Sequence, residues 1–159
     1  MRPVACVLCT LTTLLVVSFS AVATPAEAAG PRIDSGERAV IRAINRARHA
    51  HGLRGLRASR RLARAADAHS RNMLRANFFA HGAFTQRVRR YTHARRIGET
   101  IAMTSRCSAR TVVRMWMNSP SHRAVLLSRG FRRVGVARRK GRLGSTRACL
   151  VTADFGSRR

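Results

Sequence analysis

The stretch MWMNSPSHRAVLL, residues 115–127, contains the only tryptophan of the chain, followed closely by a serine, a proline and a histidine. Serine is a favoured helix N-cap and proline suits the first helical position. Ser119 is therefore predicted to end the helix of Trp116 and to cap a short helix that runs to about Gly130. Two other interpretations are a nucleophile–base pair of Ser119 with His122, and a metal ligand at His122.

A serine hydrolase is disfavoured by the residue that follows Ser119. With Pro120 next to it, the serine hydroxyl is expected to cap backbone N–H groups, and a capping hydroxyl is poorly placed to attack a carbonyl. The sequence also lacks the G-x-S-x-G motif that presents a nucleophilic serine in α/β-hydrolases.

Outward from this stretch, hydrophobic periodicity predicts three longer helices. The first begins at a capping box of Asp34 and Glu37 and ends before Gly52. Its apolar face is predicted to hold Val40, Ile44, Ala47 and His51. The second begins at Ser59 and places Leu62, Ala66, His69 and Met73 on one face, so His69 is interpreted as a core histidine. The third covers residues 109–118, with Val112, Val113 and Trp116 on one side.

Strand patterns lie before and after the third helix. Residues 99–104 form one candidate strand, and two β-rich runs around 134–136 and 149–151 are separated by a Gly- and Ser-containing turn typical of a β-hairpin. Two helices, a strand, a helix and two strands indicate an α+β or layered αβα domain with a small antiparallel sheet.

The N-terminal residues have the layout of a secretory signal peptide. One arginine precedes an apolar run, and small residues with the pattern A-x-A follow at 26–28. We expect a signal peptide over residues 1–28, a short lead over 29–36, a single domain over 37–157, and no transmembrane segment after cleavage.

Removal of this peptide would also remove Cys6 and Cys9 and leave Cys107 and Cys149. In an oxidising compartment this remaining pair most simply forms one disulfide, and free thiols are the alternative.

The charge of the chain is extreme. The 159 residues include 32 basic and 6 acidic side chains, for a formal net charge of +26, and Lys140 is the only lysine. The arginine excess is explained either by GC-rich codon usage or by a binding surface. Whatever its origin, such a charge attracts polyanions, which outside a cell are wall polymers, anionic lipids or stray nucleic acid.

Seven segments, in this order and with these gaps, resemble the bacterial members of the CAP superfamily, also called SCP-like or PR-1-like. They are INRARHAHGLRGLRAS (44–59), LARAADAHSRNM (62–73), FFAH (78–81), GETIA (98–102), WMNSPSHRAVLL (116–127), FRRVGVA (131–137) and DFG (154–156). The resemblance implies a three-layer αβα sandwich with a surface cleft. In many members two histidines and two acidic residues line this cleft and hold a divalent cation.

Carried over by motif, the resemblance places His81, Glu99 and His122 in the cleft. Ser119 occupies the fourth position, which is acidic in eukaryotic members, and Thr100 replaces the asparagine usual after Gly98-Glu99. The resemblance further implies structural roles for Trp116, Asn45 and Gly98. A divalent cation such as zinc is the only cofactor expected. The alternative is that the three cleft residues form a hydrogen-bonded cluster that fastens a strand to two helices.

Three function classes follow. The leading one is a non-catalytic binding protein, monomeric and secreted or associated with the cell envelope, that acts on lipid, wall polymer or a partner protein. The second is a metal-dependent hydrolase in which His81 and His122 bind the metal and Glu99 is the general base. The third is a binder of anionic envelope polymers or lipids through the basic runs at 87–96 and 132–142. Specific nucleic-acid binding is not expected, because Tyr91 is the only aromatic residue in these runs.

Overall fold

The computed structural model describes residues 33–158 of the chain. The proposed signal peptide and its two cysteines lie outside these residues. The elements in chain order are α1 (Ser35–His49), β1 (Arg57–Ala58), α2 (Arg60–Arg75), α3 (Phe84–Arg89), β2 (Ile97–Thr104), α4 (Ala109–Asn118), α5 (Pro120–Leu126), β3 (Arg133–Leu143) and β4 (Thr146–Gly156).

The four strands form one sheet in the order β1-β3-β4-β2. Strands β2, β3 and β4 are antiparallel, as predicted, whereas the two-residue β1 pairs with β3 in parallel. The sheet is therefore antiparallel except at this short edge strand, which the sequence did not predict. The β3–β4 hairpin has 11 residues in each strand and is longer than its two β-rich runs suggested. Gly144 sits in its turn with a φ of 58°, a value that favours glycine.

Helices cover both faces of the sheet. Helices α1, α4 and α5 pack on one face and α2 and α3 on the other, which gives the expected αβα sandwich. Alternation along β4 assigns its side chains to the two layers. Its members Cys149, Val151, Ala153 and Phe155 join the larger core under α1 and α4. On the opposite face Leu150 packs against Met73, and the polar Thr152 and Asp154 contact α2 and α3.

Local helix signals predicted the starts of the long helices well. The Asp34–Glu37 capping box is present, Ser59 caps α2, and α4 has the predicted bounds. Two details were wrong. Because α1 ends at His49, His51 lies in the following turn and is exposed. Helix α5 ends at Leu126, before the predicted end near Gly130.

The predicted disulfide between Cys107 and Cys149 is confirmed, with a Cα–Cα distance of 5.4 Å. It ties the segment before α4 to the middle of the sheet. Asn45 of α1 makes a second cross-connection, because its amide donates to the Leu56 carbonyl at 3.0 Å and accepts from the Leu56 N–H at 2.7 Å. These two links fix the loop before α4 and the loop after α1.

Candidate functional site

Glu99 is the centre of a polar cluster on the α2–α3 face of the sheet. Strand β2 turns this side chain inward, and only 1% of it is exposed. His81, in the segment between α2 and α3, donates from Nδ1 to Glu99 Oε1 at 2.8 Å. The guanidinium of Arg87, on α3, donates to the other oxygen, Oε2. Both carboxylate oxygens of Glu99 are therefore occupied by cationic or imidazole donors.

Arg87 also joins Glu99 to a second buried acid. Glu99 and Asp154 are register partners on β2 and β4, and Arg87 NH1 donates to Asp154 Oδ2 at 3.1 Å. The same NH1 donates to the Ala65 carbonyl of α2 at 3.2 Å. The sequence did not single out Arg87 or Asp154 for the site. The only sequence feature that pointed to Asp154 was its charge within the DFG segment, at a position that is buried.

The two carboxyl groups are both buried beside one cation, and burial shifts their pKa values upward. Burial raises the pKa of Asp154 to about 8, with Arg87 opposing the shift and the nearby Glu99 adding to it. Burial likewise raises the pKa of Glu99 to about 7 against the pull of Arg87. Asp154 Oδ1 is buried and has no hydrogen-bond partner among the described residues. Two buried carboxyl groups beside one guanidinium favour a proton on one of them. We assign this proton at neutral pH to Asp154, because Glu99 already accepts from two donors.

His69 of α2 lies beside this cluster. It is buried, as predicted, and its Nε2–H donates to the Ala80 carbonyl at 2.9 Å, while its ring makes an edge contact with Phe78. The same nitrogen lies 3.9 Å from Glu99 Oε2. Burial, with the charge of Arg87, lowers the pKa of His69 to about 4, so the ring is neutral at physiological pH. His69 thus packs beside the site, with its Nε2–H committed to the Ala80 carbonyl.

His81 and His122 form the exposed part of the site. Their ring centroids are 6.0 Å apart with an interplanar angle of 51°, although 41 positions separate them in the sequence. The side chain of His81 is 46% exposed. Partial burial, followed by the proximity of His81, lowers the pKa of His122, which keeps its ring in the neutral form that binds metals. The three predicted cleft residues are therefore neighbours.

The donors present suit a weak divalent-cation site rather than a tight one. Within residues 33–158 no group of three or more His, Cys, Asp or Glu side chains is arranged to hold a metal ion. Glu99 is bound by Arg87, so its contribution would be to orient His81 through Nδ1 and leave Nε2 available. The residues present therefore fit a cation that is bound by two imidazoles, from His81 and His122, with water as the remaining ligands.

Ser119 occupies the junction between α4 and α5, as predicted, but its hydroxyl does not cap α5. It lies 3.3 Å from the Ser121 hydroxyl, and the backbone carbonyl of Ser119 accepts from Arg123 N–H at 2.8 Å. The capping prediction was wrong because this hydroxyl pairs with Ser121 in place of a backbone N–H. Ser119 therefore brings no carboxylate to this position.

Packing from the other face of the sheet supports the strand that carries Glu99. The Trp116 indole donates from Nε1 to the Ile101 carbonyl at 2.9 Å across the interior. A Cβ at Gly98 would lie 2.7 Å from the Phe131 ring, so glycine allows this ring to approach β2 closely. Thr100 is fully buried, and its hydroxyl has no hydrogen-bond partner among the described residues.

The αβα sandwich, with a carboxylate–imidazole cluster where α2, α3 and α5 meet β2, defines the structural class. A family model described as the cysteine-rich secretory protein family, CAP, matches residues 41–155. The chain belongs to the CAP family. No curated protein matches its sequence.

Solved structures agree with this assignment. An outer surface protein from Borrelia burgdorferi is 21% identical, with a TM-score of 0.70 over 81% of this chain and 97% of the other. An extracellular protein containing an SCP domain from Bacillus anthracis is 26% identical, with a TM-score of 0.66 over 77% of this chain but only 40% of that longer one. Venom allergen-like protein 4 of Schistosoma mansoni is 12% identical, with a TM-score of 0.63 over 78% of this chain and 89% of its own. The fold is thus shared at low identity.

Proposed function

We propose that this CAP-family chain is a non-catalytic binding protein that acts outside the cell or at its envelope. In this proposal the His81–His122 pair binds a divalent cation weakly and contributes to ligand binding. The observation that supports this proposal is that both carboxylate oxygens of Glu99 accept hydrogen bonds, one from His81 and the other from Arg87. What remains accessible is a pair of imidazole rings.

A metal-dependent hydrolase is less well supported by the same geometry. In that mechanism Glu99 would accept a proton from water, but its side chain is 1% exposed and ion-paired with Arg87. A general base must lie within hydrogen-bonding reach of the proton that it removes. Glu99 is better suited to fix the orientation of His81.

The proposed location rests on the N-terminal layout and on the relatives. The similar structures include proteins described as an outer surface protein and as an extracellular protein. In residues 33–158, none of the helices combines the length and the apolar character that crossing a membrane requires. The Cys107–Cys149 disulfide is consistent with an oxidising compartment.

Calorimetric titration with Zn²⁺ tests the binding site. We expect weak one-site binding by the wild-type chain and a loss of at least about tenfold in affinity for His81→Ala and for His122→Ala. His93→Ala, which removes an exposed histidine outside the cluster, is the matched control and should bind as the wild type does. Equal affinities in His122→Ala and wild type would refute the proposed site.

A peptidase and esterase assay separates binding from catalysis. The proposal expects no turnover that depends on added Zn²⁺. Zinc-dependent turnover that disappears in His122→Ala would establish the hydrolase instead.

A further inference from the structure

A second feature of the surface is a groove lined by arginines at the end of the sheet where β3 begins and β4 ends. Six of them, Arg54, Arg95, Arg96, Arg129, Arg132 and Arg158, line a cavity of about 480 Å³ together with Gly130 and Ser157. We call these six residues the arginine groove. Neighbouring cavities of about 230 and 260 Å³ share Arg54 and Arg132 with it, and one of about 590 Å³ shares Arg158. The four depressions are therefore adjacent on the surface.

The backbone that carries these arginines is held by specific hydrogen bonds. Arg96 N–H donates to the Ser157 hydroxyl at 3.2 Å, and Ser157 N–H donates to the Arg96 carbonyl at 3.0 Å. Buried Arg48 donates to the Arg54 carbonyl at 3.0 Å and, from NH1, to the Ser128 carbonyl at 3.0 Å. Four segments distant in sequence are thus fixed around one concavity, which reduces the entropy lost when a ligand binds.

The positive charge of the groove is not neutralised within the described part of the chain. No acidic residue lines its cavities. Of the five acids in residues 33–158, four form ion pairs with Arg71, Arg87, Arg138 or Arg139, and Glu37 accepts from a backbone N–H in the α1 capping box. A group of guanidinium ions without carboxylates destabilises the fold by mutual repulsion, and a bound anion would relieve this repulsion.

We propose that the arginine groove binds a linear polymer with repeating phosphodiester groups and no bases, such as a polyol-phosphate chain of the cell envelope. Guanidinium groups match phosphate oxygens with paired hydrogen bonds, and successive cavities suit successive phosphates. Nucleic acid is a poorer match because the lining contains no aromatic side chain for base stacking. A bilayer is also a poorer match, because the exposed large apolar residues Phe79, Met103 and Met115 lie outside the groove. The arginine groove is a surface separate from the His81–His122 pair.

Fluorescence anisotropy with labelled poly(glycerol phosphate) tests the proposal. The groove variant carries Arg54→Gln, Arg129→Gln and Arg158→Gln. The control variant has the same change in net charge through Arg64→Gln, Arg110→Gln and Arg114→Gln, which are exposed helical positions outside the groove. We expect at least about tenfold weaker binding for the groove variant and less than about threefold for the control. The slope of log affinity against log salt should fall by about 2 in the groove variant only.

Further measurements on the same variants distinguish between the possible classes of ligand. Circular dichroism of both variants confirms that they are folded. Equal losses in the two triple variants would show that binding follows net charge alone and would overturn the groove. A larger groove-specific loss for phosphatidylglycerol vesicles, or for an oligothymidylate of matched charge, would overturn the assignment to a base-free polymer. The proposal is supported when the groove-specific loss is largest for poly(glycerol phosphate).

Discussion

Arg87 is the residue on which the buried cluster depends. It is the cation that pairs with two carboxyl groups, and their side chains are 1% exposed for Glu99 and 0% for Asp154. Two carboxylates facing one guanidinium would leave an uncompensated buried charge. A proton on Asp154 removes that charge, which explains why burial raises its pKa to about 8.

The pH dependence of stability tests this protonation. The folded-state pKa values of about 7 for Glu99 and 8 for Asp154 lie above the unfolded values near 4, so the folded chain binds more protons and loses stability as pH rises through them. His69, with its pKa lowered to about 4, has the opposite effect below its unfolded value of about 6.5. Between pH 6.5 and 8.5 the carboxyl groups therefore dominate.

We expect the free energy of unfolding of the wild type, measured by urea denaturation with a chelator present, to fall by about 1 to 2 kcal/mol over this interval. Asp154→Asn mimics the protonated acid and should flatten the dependence. Asp67→Asn, which removes a carboxyl outside the cluster, should leave the slope unchanged. An equally steep slope in Asp154→Asn would contradict the assignment of the proton.

The close approach of α2 to β3 fixes the position of the helix layer that carries the site. A Cβ at Gly135 would lie 2.0 Å from the Ala63 backbone nitrogen and 2.2 Å from the Leu62 carbonyl carbon. These are backbone atoms at the start of α2 and cannot rotate away. Glycine at this position lets the helix lie directly on the strand.

Gly135→Ala is accordingly expected to lower the free energy of unfolding by about 3 kcal/mol. Gly141→Ala is the control on the same strand, because its Cβ would meet only the flexible side chain of Leu74, and its cost should stay below about 1 kcal/mol. Chemical denaturation monitored by circular dichroism measures both. Similar stabilities of the two variants would rule out the close helix–strand contact.

The elements differ in how far the sequence predicts them, and the difference has a physical cause. The starts of α1, α2 and α4 follow from capping residues and apolar faces that lie within a few positions of one another. The short β1 and α3 carry weaker local signals: β1 has two residues, and α3 has no side-chain cap. Such elements depend on tertiary contacts.

The residues of the candidate site could likewise be predicted only in part from local sequence patterns. His81, Glu99 and His122 were identified through motif resemblance, since periodicity alone gives no reason to bring them together. The pairing of Arg87 with Asp154 joins positions 67 residues apart, and no pattern along the chain indicates it. Asp154 lies in a strand whose other residues are mostly buried and apolar, so its charge was the only hint.

Over the whole molecule, charge is distributed unevenly in a way that net charge does not reveal. The +26 excess is spread widely, but the few acids of the described chain are engaged in a capping box or in ion pairs away from the arginine groove. The buried acids stabilise the interior, and the groove keeps its positive charge for a ligand.

Two surfaces of the molecule differ in their chemistry. One presents two imidazoles at 6.0 Å between ring centroids, supported by a buried carboxylate, and the other presents six guanidinium groups. The first should respond to divalent cations and the second to salt concentration. Because the surfaces share no residue, variants of one should leave the other unchanged.

If Glu99 orients His81 for binding, the tautomer of the His81 ring must reflect the hydrogen bond between Nδ1 and the Glu99 carboxylate. Long-range ¹H–¹⁵N NMR at pH 7.5 distinguishes the two ring nitrogens. We predict that the neutral ring of His81 is the Nδ1–H tautomer, in which Nδ1 donates to Glu99, and that the signals of both His81 and His122 shift on addition of Zn²⁺. The Nε2–H tautomer of His81, or zinc that leaves the signals of both rings unchanged, would refute this role of Glu99.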